Sequence, residues 1–191
     1  YCECFIKEPF FCGFGDGVRQ AGLDLRSAYP NRNSIGANVT EGILSAAVQA
    51  ATNRMESFKK RREAVNLLAH EAPEQAAPVL ASVLTDPSAA NLRSIVIRAM
   101  TGRGGPDGAR RLLAGWTNYP PEVRATALAW LRADPAAFPA VLEAVETNRV
   151  TLKELGAADR LRLLNAADDG VRRRAEKILG VSNRPGDGGA T

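Results

Sequence analysis

A short motif that returns along the chain limits its fold more than any other feature of the sequence. Val-Arg, followed by two variable positions and a small residue, occurs at Val18-Arg19, Val123-Arg124 and Val171-Arg172, with looser copies around Arg61 and Arg93. Units that recur in this way cannot bury their apolar faces alone and do so by stacking on their neighbours. The motif therefore predicts an array of helical repeats, an architecture that usually presents a surface to partners rather than a catalytic pocket.

The spacing of the motif and the residues that start helices predict helix pairs. Arg61, Arg93 and Arg124 are separated by 32 and 31 residues, whereas the next step, to Arg172, is 48 residues and indicates an additional helix. Asp, Thr and Pro recur where helices can begin, because Asp and Thr accept hydrogen bonds from free N–H groups and Pro has no N–H to leave unpaired. The predicted helices are residues 74–85, 87–101, 107–117, 121–132, 135–147, 151–164 and 169–179.

The two ends of the chain differ from its middle. Residues 1–40 are predicted to be an irregular segment with one possible repeat helix at 16–28, followed by a loop up to the repeats. Residues 41–180 are predicted to form the repeat domain, in which the apolar spacing of residues 41–70 fits one long helix or two. Residues 181–191 are rich in Gly and are typical of a linker or a disordered tail.

Composition favours an all-α protein and leaves the partner open. Hydrophobic residues make up 45% of the chain and aromatic residues only 6%, which suits the packing of small residues between helices. Lys and Arg exceed Asp and Glu by only 25 to 21, a balance that predicts no particular partner. No run of apolar residues is long enough to span a membrane. Cys2, Cys4 and Cys12 all precede the repeats, so no disulfide can link one repeat to another.

The repeated arginines are the first candidates for a functional site. On the second helix of a pair, such an Arg can lie across the junction and pair with an acid of the adjacent repeat, for example Asp86 or Asp134; the alternative is partner binding on the concave face. Two tryptophans occupy core-like helical positions and become candidate binding residues if they are exposed. The residues predicted for repeat-ladder or partner-binding roles are Arg61, Arg93, Arg124, Arg172, Trp116 and Trp130.

Other chemistry is less well supported by the sequence. Cys2, Cys4 and Cys12 with His70 could form a Cys₃His zinc site, but the spacing is a poor match to zinc ligand pairs. His70 is the only histidine, and no Ser-His-Asp or Cys-His arrangement is supported by it. We therefore predict no catalytic residue, no metal, no cofactor and no small-molecule substrate.

The densest basic cluster, residues 59–62, raises the question of nucleic-acid binding. Clustered cations favour contact with phosphates through counterion release. Glu56, Glu63, Glu71 and Glu74 flank the cluster, however, and no aromatic residues alternate with the basic ones. These features favour a solvated helix face, and nucleic acid is a disfavoured partner.

The motif residues also carry a family resemblance. Residues 121–131 and 169–175 resemble the second helix of HEAT repeats, and the likeness covers roughly residues 55–180. It implies an all-α fold, the right-handed α-α superhelix of HEAT and armadillo proteins, with three to five units. The order of residues 112–116, 121–124, 142–145 and 168–180 resembles the HEAT segment of planctomycete-type membrane-bound dehydrogenases.

The second resemblance implies domains that this chain does not contain. In that family a sugar-dehydrogenase-like propeller precedes the repeats and a c-type haem domain follows them, yet no Cys-x-x-Cys-His motif occurs in the 191 residues. Haem binding and oxidation are therefore not implied for this chain. Because it starts with Tyr1 rather than Met and stops in a Gly-rich stretch, we expect a fragment of a longer protein. The resemblance implies a periplasmic or exported location. If the resemblance does not hold, we expect a cytoplasmic location.

Three functional hypotheses follow from these observations. The leading one is a non-catalytic HEAT-repeat scaffold or inter-domain spacer that binds another protein or a neighbouring domain of the same polypeptide. The first alternative is a segment of an exported redox enzyme whose propeller and haem domains lie outside this chain. The second alternative is a nucleic-acid-binding array that resembles the HEAT repeats of alkylpurine glycosylases.

Overall fold

The computed structural model describes Leu25, Asn31 and residues 33–102 and 104–180. The predicted helix at 16–28 (apart from Leu25), the three cysteines and the Gly-rich residues 181–191 lie outside the described residues. The α-helices are α1 (Ile35–Thr52), α2 (Phe58–Leu68), α3 (Pro73–Thr85), α4 (Arg93–Thr101), α5 (Gly105–Ala114), α6 (Pro121–Ala133), α7 (Phe138–Glu146), α8 (Ala157–Leu164) and α9 (Asp169–Leu179). Short 3₁₀ helices lie at Pro87–Leu92, Trp116–Asn118 and Pro135–Ala137.

The chain is an all-α helical-repeat protein of the solenoid class. No β-strand occurs among the described residues, which confirms the predicted fold class, while the right-handed sense of the superhelix stays a prediction. The chain divides into two compact units. Of the described residues, unit 1 comprises 25, 31, 33–102 and 118–126, and unit 2 comprises 104–117 and 127–180, so that α6 contributes to both.

Unit 1 shows how successive helix pairs stack. Within the pairs, α1 packs against α2 and α3 packs against α4; between the pairs, α1 contacts α3 and α2 contacts α4. First helices therefore lie in one layer and second helices in another, which is the arrangement expected for stacked repeats. The fully buried core side chains of this unit include Leu44, Val65, Leu68, Leu80, Leu84 and Ile97.

The first described helix begins earlier than predicted. The Ser34 side chain accepts a hydrogen bond from the N–H of Ala37 at 3.2 Å and caps α1, so the loop predicted up to about Thr40 is wrong for residues 35–40. Residues 41–70 form two helices rather than one. The break between them comes where Asn53 leaves the helical conformation and the Ser57 side chain caps α2 by accepting from the N–H of Lys60.

The helices of unit 2 pack in a different pattern from those of unit 1. α5 packs against α7, α7 packs against α9, and α9 also packs against α8. The side chain of Arg110 on α5 forms an ion pair with Glu143 on α7 at 3.0 Å, and Arg174 on α9 donates from Nε to Glu146 on α7 at 2.7 Å. Helices α5, α7 and α9 therefore form one row, held by charged contacts between successive members.

This row corrects the assignment of residues 169–175 to a second helix. The 48 residues between Arg124 and Arg172 contain two helices, α7 and α8, where one helix separates the earlier motif copies. Because two helices rather than one lie between α6 and α9, α9 lies in the row of α5 and α7 and not in the row of second helices. The predicted helix 151–164 is also shorter, because α8 begins only at Ala157.

A Gly-Gly turn before α5 is closed by a carboxylate. Asp134 Oδ2 accepts a hydrogen bond from the N–H of Gly105 at 2.6 Å, and Asp134 Oδ1 accepts one from the N–H of Ala136 at 3.0 Å. The predicted pairing of Asp134 with a repeated Arg is wrong, because this carboxylate accepts from backbone N–H groups and no described arginine pairs with it. Gly104 and Gly105 have φ angles of +88° and +82°, a region that side chains rarely adopt.

We expect Gly104→Ala to destabilise the fold more than Gly105→Ala. Both positions have positive φ, which costs about 1–2 kcal/mol for a residue with a Cβ. A Cβ at Gly104 would also lie 2.5 Å from Asp134 Oδ2, whereas a Cβ at Gly105 would meet open space. Urea denaturation followed by circular dichroism should give a cost about 1 kcal/mol larger for Gly104→Ala. Equal costs would show that Asp134 moves aside.

Candidate interaction surface

Arg61, the first of the repeated arginines, is buried inside unit 1 and spans two repeats. Its side chain is only 4% exposed. Nε donates to the carbonyl oxygen of Ala51 at 3.1 Å, and Nη2 donates to Asp86 Oδ2 at 3.1 Å. Ala51 lies in the last turn of α1, where carbonyl groups lack helical partners. Arg61 therefore closes the end of one helix and reaches the turn between the two helices of the next repeat.

Asp86 is the buried counter-ion of this pair. Its carboxylate also accepts hydrogen bonds from the Ser88 hydroxyl at 2.7 Å and the Ser88 N–H at 3.0 Å, and Arg54 Nε lies 3.3 Å from Oδ1. Burial alone would raise the pKa of Asp86. The hydrogen bonds from Ser88 and Arg61 and the charge of Arg54 outweigh burial and lower the pKa below its ordinary value. The carboxylate is therefore ionised at neutral pH.

The remaining repeated arginines also contact the repeats themselves. Arg93 is 18% exposed and pairs with Glu122 at 3.2 Å. Arg124 Nε donates to the carbonyl oxygen of Tyr119 at 2.9 Å. Arg172 forms an ion pair with Asp169 and donates to the carbonyl oxygen of Ala166 at 3.2 Å. These contacts are internal, and a partner-binding role for these arginines stays a prediction.

Four arginines share one structural position, and the sequence pattern missed one of them. Arg61, Arg124, Arg160 and Arg172 are each the fourth residue of their helix, and each donates to a carbonyl oxygen that precedes the helix. Arg160 follows Asp159 rather than Val and so does not fit the motif. Its distance of 36 residues from Arg124 is close to the repeat length and was the signal available in the sequence.

The two tryptophans have different surroundings. Trp116 is fully buried, at 0% exposure, and its indole Nε1 donates to Glu154 Oε1 at 3.1 Å. Trp130 is 37% exposed, so the prediction of a core position is wrong for this residue. On α6 the buried residues are Val123, Ala127 and Leu131, and Trp130 lies at the flank of that stripe. Trp130 therefore remains a candidate contact for a partner.

The basic cluster at residues 59–62 is engaged within unit 1. Lys59 pairs with Glu63 at 3.8 Å and Lys60 pairs with Glu56 at 2.8 Å. The guanidinium carbon of Arg62 lies 5.8 Å from the ring centroid of Phe58, within the range of a cation–π contact. The acidic neighbours seen in the sequence therefore do balance the cluster, and these contacts give nucleic-acid binding no support.

An apolar groove opens between α6 and α8 in unit 2. Its empty space of about 290 Å³ includes volume that is open to solvent. The polar residues Arg132, Asp159 and Arg162 also line it. Arg132 Nε is 2.5 Å from Asp159 Oδ1, and Arg162 Nη1 donates to the carbonyl oxygen of Arg132 at 3.0 Å. The apolar side chains that line the groove, here called the α6–α8 groove, are Leu128, Leu131, Phe138, Val141, Leu155 and Leu163.

Two exposed leucines lie on α8 or just before it. Leu161 on α8 is 60% exposed and Leu152, in the turn before α8, is 38% exposed. Leu161 belongs to the same short helix as Asp159, Arg162 and Leu163, which line the groove, but the helical period places it on the other side of that helix. We call this set, the α6–α8 groove with Leu152 and Leu161, the α8 surface. A groove with exposed apolar neighbours and a polar edge is typical of an interaction site.

The described residues contain no candidate metal centre and no membrane span. No group of three or more His, Cys, Asp or Glu side chains among them could hold a metal ion. His70 is buried at the end of α2, where its carbonyl oxygen accepts a hydrogen bond from the N–H of Leu25 at 3.1 Å. No described helix is both long enough and apolar enough to cross a bilayer.

Comparison with known proteins agrees with this architecture. Residues 44–132 match the family described as HEAT repeats, a range that begins within α1 and ends within α6. No curated protein and no solved structure matches the chain. The predicted HEAT repeats are therefore confirmed over this range. The likeness of the C-terminal half to membrane-bound dehydrogenases stays a prediction, because residues 133–180 lie outside the match.

Proposed function

We propose that this HEAT-repeat chain is a non-catalytic scaffold that binds another protein, or a neighbouring domain of its own polypeptide, through the α8 surface. HEAT repeats are commonly protein-interaction scaffolds. The observation that carries the proposal is the exposure of Leu152 and Leu161 at a short helix whose other face lines the apolar α6–α8 groove. Exposed apolar groups of this kind lose contact with water when a partner covers them, which favours association.

The internal contacts of the repeated arginines also favour the α8 surface as the binding site. Arg61, Arg93, Arg124 and Arg172 all bond to residues of the repeats. A partner would have to break these contacts before it could use the arginines, and a buried charge left without its counter-ion is costly. Leu152 and Leu161 require no such rearrangement. The α8 surface is therefore a region that a partner can cover without breaking these contacts.

Site-specific photo-crosslinking tests the proposal. A photoreactive phenylalanine derivative in place of Leu161 is expected to crosslink to one discrete protein from a native extract. The matched control has the same group in place of Val39, an exposed apolar residue of α1 that is 51% exposed. Unlabelled wild-type protein should compete for the crosslink, whereas Leu161→Glu should not. The charge blocks association with apolar groups, while the exposed position leaves the fold intact.

The competition arm decides whether the surface is specific. A crosslink at Leu161 that wild-type protein does not displace would come from a non-specific contact and would contradict the proposal. Crosslinks of equal yield at Val39 would contradict it too. Circular dichroism of Leu161→Glu provides the control that the variant is folded.

A further inference from the structure

A copy of the repeat motif precedes α1 in the sequence. In α6 and α9 the third residue is Val, the fourth is Arg and the seventh is Ala. The Val and Ala side chains of both helices are buried, and they lie on one helix face because they are four residues apart. A helix that starts at Asp16 has Val18, Arg19 and Gly22 at the same three positions. The motif therefore predicts a helix of the same kind over residues 16–24, which lie outside the described residues.

Leu25 occupies the next apolar position of this pattern. Counted from the start of the helix, the tenth residue is also apolar in α2, α6 and α9, where it is Leu67, Trp130 and Ile178. Leu25 is one of the described residues and is only 3% exposed. The one member of the predicted stripe whose surroundings are described is therefore buried, as the pattern requires.

A hydrogen bond fixes where Leu25 lies in unit 1. Its N–H donates to the carbonyl oxygen of His70 at 3.1 Å, and His70 follows directly on the end of α2. His70 and Glu71 are 9% and 7% exposed, so the chain is covered at this end of α2. Because the N–H of Leu25 is used in this way, a helix that begins at Asp16 ends before Leu25 and is shorter than the predicted 16–28.

The position of this hydrogen bond is the one that stacking requires. α2 and α4 are the second helices of successive pairs and contact each other. Each runs antiparallel to its own first helix, because the connections within the pairs are short. Second helices are therefore parallel, and one that precedes α1 ends beside the end of α2. Leu25 bonds at that end, and residues 26–34 lead from it to the start of α1.

We propose that residues 16–24 form the second helix of a preceding repeat and pack against α2 on the side opposite α4. Val18 and Gly22 face the repeat core, and Leu25 ends the contact beside His70. Arg19 takes the fourth helical position, at which other helices hold a carbonyl-bonded arginine: Arg61, Arg124, Arg160 and Arg172. The chain itself then covers this flank of α2, which is not available to another protein. The proposal concerns the array and does not depend on the α8 surface.

Hydrogen exchange measured by mass spectrometry on the full chain tests the proposal. We expect the amides of residues 19–24 to exchange about 100-fold or more slowly than in an unstructured chain. Val18→Asp puts a charge at a buried position and should return these amides to unprotected rates. It should also speed the exchange of residues 58–70 by about tenfold, because α2 loses its neighbour. The matched control, Val181→Asp, makes the same change in the Gly-rich segment and should alter both regions less than about twofold.

Two variants of Gly22 separate packing from helix formation. Gly22→Ala gives the seventh position the residue that α2, α6 and α9 have there, and it should preserve or increase the protection of residues 19–24. Gly22→Glu is also compatible with a helix, but its long charged side chain has no room at a close contact and should abolish the protection. Circular dichroism provides the control that Gly22→Glu retains the other helices.

Several results would overturn the proposal. Unprotected amides at residues 19–24 of the wild-type chain would show that no helix is present there. Loss of this protection in Val18→Asp without any change at residues 58–70 would show that the helix does not contact α2. Equal protection in Gly22→Ala and Gly22→Glu would exclude close packing at Gly22. Protection that falls on dilution would assign the cover of α2 to a second copy of the chain instead.

Discussion

Replacing Asp86 with Ala is expected to destabilise the protein by about 3–5 kcal/mol, since it leaves a buried cation without its counter-ion. Arg61 is only 4% exposed, so solvent does little to compensate its charge. The substitution also removes the acceptor for the Ser88 hydroxyl and N–H and the charge that Arg54 faces. Urea denaturation followed by circular dichroism measures the loss.

Two controls test whether the loss of stability comes from the unpaired buried charge rather than from the removal of a carboxylate as such. Asp107→Ala removes a carboxylate that pairs with Arg110 at the surface, where the Asp107 side chain is 81% exposed, and should cost less than about 1 kcal/mol. The double variant Arg61→Met with Asp86→Leu should recover most of the stability, since apolar side chains can replace a buried ion pair. A loss for Asp86→Ala no larger than for Asp107→Ala would contradict the prediction.

The second large effect is expected for Trp116→Ala, at about 3–5 kcal/mol. Trp116 has no exposed surface, and its indole donates to Glu154, which also accepts from Thr151. The substitution leaves a cavity in unit 2 and takes a donor away from a half-buried carboxylate. It should therefore lower the denaturation midpoint and loosen the turn before α8.

Trp130→Ala is the matched control for this substitution. The same atoms are removed, but Trp130 is 37% exposed, so less apolar surface returns to water and we expect a cost smaller by about 2 kcal/mol or more. Trp116→Phe distinguishes packing from hydrogen bonding, because it retains most of the apolar ring and loses the indole N–H. Similar midpoints for Trp116→Ala and Trp130→Ala would contradict the buried position of Trp116.

Sequence patterns predicted the helices well where a single residue decides the start. α9 was predicted at residues 169–179 and spans Asp169–Leu179, because the Asp168 side chain caps it by accepting from the N–H of Val171. The start of α8 was mispredicted at Thr151 for a physical reason. Glu154 does accept from the N–H of Thr151, as in a capping box, but the helix does not continue and starts anew after Gly156.

The candidate site was harder to predict than the fold. The α6–α8 groove is lined by side chains of α6, α7, α8 and the turn before α8, so it depends on how three helices pack and not on any one sequence pattern. The motif favoured the charged residues, since Arg stands out in the pattern, yet Arg61 is buried and Arg124 bonds to a carbonyl group. Exposed leucines such as Leu161 give no periodic signal, because only tertiary packing decides which Leu is left uncovered.

The arginines at the fourth helical position also affect motion. Each of Arg61, Arg124, Arg160 and Arg172 joins the first turn of its helix to a carbonyl group in the preceding segment. Helix ends normally fray independently and on fast timescales. We therefore expect each of these helix starts to open only together with the segment before it, so that opening is cooperative across the junction.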